Sequence, residues 1–460
     1  MLLGEGFYSL PQIINGEWMK IIPKLYKDYG LYVNKKKMLP DIRDGLLPVQ
    51  KRILLTSHMI ARNKYVKTSK ILGETMARWH PHSEALGTAE WAVNNGFLDG
   101  GGLWGSNIGI EKIGCAQPRY TSIKSNNLIE KIGFKYINFV DWELAETEEP
   151  EPIYVPTMIP FCFMAMNEYI SIGFGFRTEI PCFKLEDLIN RLLYLLNRKD
   201  KVIIKPNIIG CKILSSKKEC EKLLKEGRGK ISLQGKYKIN NNKTVSIFGW
   251  SPRTTYPSLI KKIDKYKDWR LLSRGDIGFI DESTGTSGTR IDFKIIKQRN
   301  KNEIFDKAKE AITESLKEII SYNIITIDNN VIKFPSVDEM LLNTYNLYKY
   351  SKEKYTKNKL EYLENMKIEL KIIEIIRPYV HRVAKKFSGD IDKIYSNLYE
   401  LLKDKISIDI DYLKSIFEKY KLKRLLTINI DIDKIDYEIK KSLNVLEHLE
   451  ENCIQDYNDI

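Results

Sequence analysis

Leu360, Leu363, Met366, Leu370, Ile373 and Ile376 recur at spacings of three or four residues, the mark of one apolar stripe running along a helix. A helix of that length cannot leave such a stripe in water; it needs a partner stripe to cover it. Ile435, Ile439, Leu443, Leu446 and Leu449 repeat the spacing farther along. The last stretch, from residue 336, is therefore expected to form a long antiparallel coiled-coil arm, with 433–450 as the returning strand of the pair.

The rest of the chain reads differently. A length of 460 residues predicts about three domains at roughly 150 residues each. Between 151 and 335, short β-branched runs (VIIKP, KTVSIF, TRIDFKII) alternate with helical stretches at Lys184–Leu195 and Glu303–Ile320. That alternation predicts an α+β domain. Asp141 to Glu151 carries six acids in eleven residues and reads as a linker between modules. The overall expectation is an α+β multidomain protein with boundaries at 1–28, 29–150, 151–335 and 336–460.

Charge is concentrated near the front. Lys20 to His82 contains fourteen Lys or Arg against four acids, ten of the fourteen net positive charges in the chain. A face of that kind suits a polyanion, nucleic acid before membrane. The most apolar stretch, Pro160 to Phe176, is broken by Asn167 and Glu168, so no bilayer span is expected. The first ten residues lack a basic start and include Glu5, which does not read as a secretory leader. Six cysteines at 115, 162, 182, 211, 220 and 453 form no C-x-x-C pair, and the expected setting is a reducing cytoplasm without zinc knuckles.

Within the basic segment the punctuation spells three short helices. Pro48 opens the first, through about Ala61; Thr68 caps a second to about Trp79; Ser83 opens a third that ends at Gly96. Three such helices with basic flanks predict a winged-helix DNA-binding unit. The glycine-rich loop from Asp99 to Gly109 lacks the lysine of a phosphate-gripping loop and reads as a tight turn beside CAQPRYTSIK.

Arg119–Tyr120 is the pair with chemical potential. A tyrosine can attack phosphorus if the charge developing there is neutralised, and a guanidinium chelates phosphate oxygens. Most of the 26 tyrosines are expected to be core or surface aromatics. His80 and His82 flank Pro81; no further ligand completes a metal shell, so a phosphate contact or cap is expected and no metal site.

These residues occur in a recognisable order. LPDIRDGLLPVQKRIL, KTSKILGETMARWHPHSEAL and GCAQPRYTSI closely resemble the DNA breakage–reunion core of type IIA DNA topoisomerases, the phage-type members included. IPFCFMAMNEYISIGFGFRTEIPCF, GRGKISLQGKYKI, SPRTTYPSLIKKI, SGTRIDFKII and RLLTINIDIDKIDYEIKKSLNVLEHL extend the resemblance from about Tyr29 to Leu449. It implies a winged-helix domain, an α/β tower domain, and a coiled-coil arm with a small helical dimer gate.

The resemblance also implies roles. Tyr120 matches the nucleophile that joins a 5′ phosphate, Arg119 the arginine that stabilises the transition state, and His80 and His82 the pair near the scissile phosphate. Ile172 matches an isoleucine wedged between bases to bend DNA, against the plainer reading of a core residue in the SIGFG strand. Arg43, Lys51, Arg52, Lys67 and Lys70 fall where the family contacts phosphate, and Lys37 and Arg78 complete the candidate DNA-binding set. Lys37, Leu47 and Ser83 depart from the bacterial gyrase pattern, where an arginine, a lysine and a glycine stand.

The family's ATP-binding segment and acidic E…DxD cluster are not found in the sequence, which implies that ATP and Mg²⁺ are bound by a partner subunit; the ion would activate the leaving oxygen. With no segment after the arm to wrap DNA, supercoiling of the gyrase type is not expected. The expected function is the cleavage–religation subunit of an ATP-dependent type II DNA topoisomerase: a homodimer on double-stranded DNA, in the cytoplasm (a host's, if viral). The alternative is a non-catalytic DNA-binding scaffold of the same fold.

Overall fold

In the computed structural model the described residues are 18–460, apart from 82–84, 107, 112, 167, 241–242, 269, 298, 387–390, 403–409, 421–424, 426 and 428–429. The chain divides into two compact units, Met1–Tyr348 and Lys349–Ile460. Among the described residues no helix is long and apolar enough to cross a membrane.

Local chemistry sets the element ends in the first unit. Helix α1 (Trp18–Val33) runs into one wider helical turn, Asn34–Met38. Helix α2 (Pro48–Ile60) starts on a proline, whose missing N–H is no loss at a first position; the Gln50 side-chain oxygen accepts the Leu47 N–H at 2.9 Å. Helix α3 (Thr68–Arg78) and helix α4 (Ala85–Asn94) follow. Gly96 lies at φ +75°, a left-handed conformation that suits glycine just past a helix end. The expected helices are all present, but Thr68, expected to cap the second, is its first residue, and no side-chain cap bond starts that helix; the Ser83 cap lies outside the described residues.

Strands β1 (Val66–Lys67), β2 (Leu98–Gly101) and β3 (Ser122–Ser125) form a small antiparallel sheet in the order β1-β3-β2. Ile53, Leu54, Ile71, Ala85, Ala89 and Ile123 are buried between these helices and the sheet.

Two larger antiparallel sheets follow. One has the spatial order Glu168–Ile172, Arg177–Pro181, Lys317–Asn323, Arg228–Gly235, Cys211–Ile213. The other orders Tyr237–Asn240, Thr244–Ile247, Ile291–Ile295 and Ile277–Asp281. The second sheet packs Val245, Ile247, Ile291 and Phe293 against Leu259, Ile263, Ala308 and Ile312, which come from helices Tyr256–Lys265 and Lys301–Ser315.

Three sequence expectations change here. The run VIIKP joins no ladder. The helical stretch expected through Ile320 ends at Ser315, and Lys317–Asn323 is a strand paired along its length with Arg228–Gly235; adjacent β-branched Ile319 and Ile320 suit a pleated surface. The acidic stretch expected as a linker is a β-hairpin, Trp142–Leu144 pairing Pro150–Pro152.

In the second unit Leu363, Leu370, Ile373, Ile376 and Val380 are buried with Leu413, Ile416, Tyr420 and Ile435. The first five lie on the 50-residue helix Val337–Lys386. Lys352 pairs with Asp456, Lys359 with Glu438 and Lys367 with Asp436. One index rises as the other falls, so the later chain runs antiparallel. Leu443, expected on the seam, is exposed, and Ser442 holds the buried place. Steps of four overshoot a turn of 3.6 residues, so the second step from Ile435 carries Leu443 about 80° off the face, whereas a step of seven falls within about 20°.

Candidate active site

Tyr120 ends a turn in which its own N–H donates to the Gln117 carbonyl at 2.8 Å. The first turn of α3 has spare N–H donors, as every helix start does, and two hold this segment. Thr68 N–H donates to the Thr121 carbonyl at 3.1 Å and Ser69 N–H to the Pro118 carbonyl at 3.3 Å. Beneath them the Thr121 hydroxyl donates to the buried Thr68 hydroxyl at 2.8 Å. Gly102, at φ +93°, lies so close that a Cβ would stand 2.9 Å from the Tyr120 carbonyl oxygen. The backbone is therefore fixed on both sides.

The side chain is not buried in it. Tyr120 is 64% exposed, and the Arg119 guanidinium sits over its ring, 4.9 Å from the centroid, a cation–π arrangement. Lys67 Nζ donates to the Arg119 carbonyl at 3.3 Å. Lys70 is exposed on α3, and Arg78 pairs with Glu74 one turn away. A solvent-facing phenol thus lies under one guanidinium, with Lys67 on the backbone beside it.

His80 is buried at the end of α3. Its Nδ1 lies 3.3 Å from Arg52 Nη1. A guanidinium can only donate, so Nδ1 is the acceptor and the neutral ring carries its proton on Nε2. His82 lies outside the described residues.

Arg52, 8% exposed, has its guanidinium on a carboxylate: Nε donates to Glu151 Oε2 at 3.0 Å and Nη2 to Oε1 at 2.7 Å. Lys51 Nζ donates to the carbonyls of Pro152 at 2.8 Å and Ile153 at 3.1 Å, and Trp79 Nε1 donates to the Pro150 carbonyl at 3.0 Å. The acidic hairpin is thereby pinned to α2 and α3. Burial would raise the Glu151 carboxyl, but the Arg52 hydrogen bonds and the charges of Lys51, Arg52 and Lys36 outweigh it and hold it below the usual range. Lys51 and Arg52, expected on phosphates, point inward to these partners, because a nonlocal carboxylate competes for them. Sequence reasoning misses Glu151, whose only signal is its acidic neighbourhood.

Arg43 is half-buried, paired with Asp41 at 2.6 Å and 5.0 Å from the Tyr154 centroid. Asp44 accepts the N–H groups of Leu46 and Val155, each at 2.9 Å; burial, then the nearby Asp41 charge, pushes its carboxyl up to about 7. Lys37 lies half-buried in the wider helical turn after α1.

Ile172 closes the strand Glu168–Ile172. Tyr169 and Ser171 face inward, whereas Ile172 is 61% exposed, so the core reading fails. The following turn closes with Gly173 N–H on the Phe176 carbonyl at 2.8 Å. Asn34, 0% exposed, grips the same turn. It accepts the Phe174 N–H at 2.8 Å and donates to the Phe174 carbonyl at 2.8 Å. Among the described residues no group of three or more His, Cys, Asp or Glu comes together to hold a metal ion.

These features define a mixed α/β protein that presents one fixed, solvent-facing tyrosine under one guanidinium. The family model for the A subunit of DNA gyrase/topoisomerase IV matches residues 37–459, and the chain belongs to that family. It is 29% identical to the DNA gyrase A subunit of Clostridium acetobutylicum over 66% of this chain and 38% of that protein. Against the DNA gyrase A subunit of Staphylococcus aureus it is 25% identical over 92% of this chain and 49% of that protein. For the DNA topoisomerase 4 A subunit of Mycoplasma pneumoniae the identity is 25%, over 58% and 36%. The chain thus spans less than half the length of these relatives.

Proposed function

We propose that this chain is the DNA cleavage–religation subunit of an ATP-dependent type II DNA topoisomerase. The observation that supports it best is Tyr120, fixed at its backbone, exposed at its phenol and covered by Arg119, in a chain of this family. The phenolic oxygen attacks the phosphorus of a DNA phosphodiester. The bond to the 3′ oxygen breaks, the 5′ phosphate stays on the tyrosine, and the phenolic proton ends on the 3′ hydroxyl through solvent. One phosphoester replaces another, so the 3′ hydroxyl can reverse the step without an outside energy source. Arg119 counters the charge that builds on phosphorus, and the Nε2 proton of His80, with His82, donates to a phosphate oxygen.

In this reading 29–150 is a winged-helix domain, 151–335 a tower, and 336–460 a coiled-coil arm with a dimer gate, after a lead segment at 1–28. Lys37, Arg43, Lys67, Lys70 and Arg78 hold the duplex backbone; Lys51 and Arg52 act on it by bracing His80 and the hairpin. Ile172 opens a base step. Two copies cut the two strands so that a second duplex passes, which relaxes or decatenates DNA in the cytoplasm. ATP and Mg²⁺ belong to the partner subunit.

Tyr120→Phe tests the proposal. With the partner subunit, ATP and Mg²⁺, the variant should bind duplex DNA like wild type, since affinity rests on phosphate contacts, and form no covalent adduct. Adducts that persist in Tyr120→Phe remove Tyr120 as nucleophile; a wild-type chain that forms none leaves the scaffold reading.

A further inference from the structure

We infer that Asn34 is a positioning residue for the wedge: it holds the turn beside Ile172 so that the isoleucine can bear on a base step. The inference rests on the reading of Ile172 as a DNA wedge. A wedge works only if its base is stiff. Opening a step works against base stacking, and an exposed turn that yields would let the side chain fold back instead.

Four features build that stiffness at one place. The Asn34 amide pairs with both backbone groups of Phe174, each at 2.8 Å, the pattern one strand residue uses on another. Such a two-point bond fixes orientation as well as distance. Asn34 is wholly buried, so water cannot compete for either bond. Gly173 leaves room for it: a Cβ at that position would overlap Asn34 Oδ1. One residue earlier on the other side, the Ser171 hydroxyl donates to the Met38 carbonyl at 2.6 Å, from the same helical turn that Asn34 opens.

Alternatives for Asn34 are weak. Its partners lie 140 residues away, so it is neither a helix cap nor a local turn former. An asparagine buried there for packing alone would be replaceable by an apolar residue, whereas this one matches a backbone N–H and a carbonyl at once. The fold thus uses α1 and its continuation to brace an exposed apolar tip at the end of a strand whose alternate residues face inward.

The test is DNA bending. The full chain, with its partner subunit and Mg²⁺, is mixed with a duplex of about 30 base pairs carrying a fluorophore at each end. Energy transfer reports the bent fraction, and anisotropy and melting temperature are read alongside. Asn34→Ala should lower the bent fraction about tenfold, the scale of two lost hydrogen bonds, with DNA affinity nearly kept. In the Ile172→Ala background it should add nothing, because the two act on one step. Gly173→Ala reaches the same contact from the other side and serves if Asn34→Ala does not fold; it should mimic the loss. Normal bending by folded Asn34→Ala and Gly173→Ala while Ile172→Ala fails overturns the inference alone. So does a further, additive loss on top of Ile172→Ala. Normal bending by Ile172→Ala overturns the wedge and the inference together.

Discussion

Ile172 shows what a single residue can and cannot disclose from sequence. The apolar run SIGFG is the same whether its isoleucine faces a core or a solvent. Facing is decided by the sheet partner Arg177–Pro181 and by the inward placing of Tyr169 and Ser171. At 61% exposure, Ile172→Ala should leave stability within about 0.5 kcal/mol, not the roughly 2–5 kcal/mol of a core truncation. Bending of an end-labelled duplex should fall all the same. A variant that melts as wild type and bends DNA as wild type would remove the wedge. Tyr120 is more legible, because the arginine before it and the turn it ends are local, although the α3 N–H groups that hold that turn are not.

At the scale of elements, short-range signals carry far and long-range ones do not. Pro48 and Gly96 mark helix ends by their own backbone chemistry, and the helices stand there; Thr68, expected as a cap, is instead the first residue of its helix and its hydroxyl is taken by Thr121. The strand Lys317–Asn323 depends on Arg228–Gly235, far off in the chain, and the helical reading of the stretch before it runs on as far as Ile320. The acidic hairpin reads as a linker because the partner of Glu151 is Arg52, 99 residues away. That pair has a pH signature. The Glu151 carboxyl is held below its ordinary value, so its contribution is complete above about pH 4.3, the unfolded value, and is lost as pH falls through the lower folded value. Glu151→Gln should cost about 3–5 kcal/mol at pH 7, since it leaves buried cations without an anion. Urea melts should bring the two proteins together as pH falls from about 4.3 through the lower folded value, below which the wild-type carboxyl is neutral too. Parallel curves over that range would show that the ion pair contributes no net charge effect.

For the whole molecule, the seam of the second unit is legible in the periodicity, and its register is not. Ser442 in place of Leu443 is a phase error that accumulates over steps of four. The proposed division of labour with a partner makes a plain prediction: the purified chain should bind duplex DNA and turn over no ATP. Steady phosphate release by a clean preparation, unaffected by removal of traces of other subunits, would break that division.

The helix Val337–Lys386 is continuous over 50 residues, about 75 Å at 1.5 Å per residue, and its buried line depends on exact spacing along it. Genetic change meets it accordingly. One inserted codon would turn every later position of the helix by about 100°, carrying Leu363, Leu370 and Ile373 off their buried line, whereas seven inserted codons would turn it back to within about 20°. Within this segment an insertion keeps the buried line only if it adds close to a whole number of turns, as seven or eleven residues do.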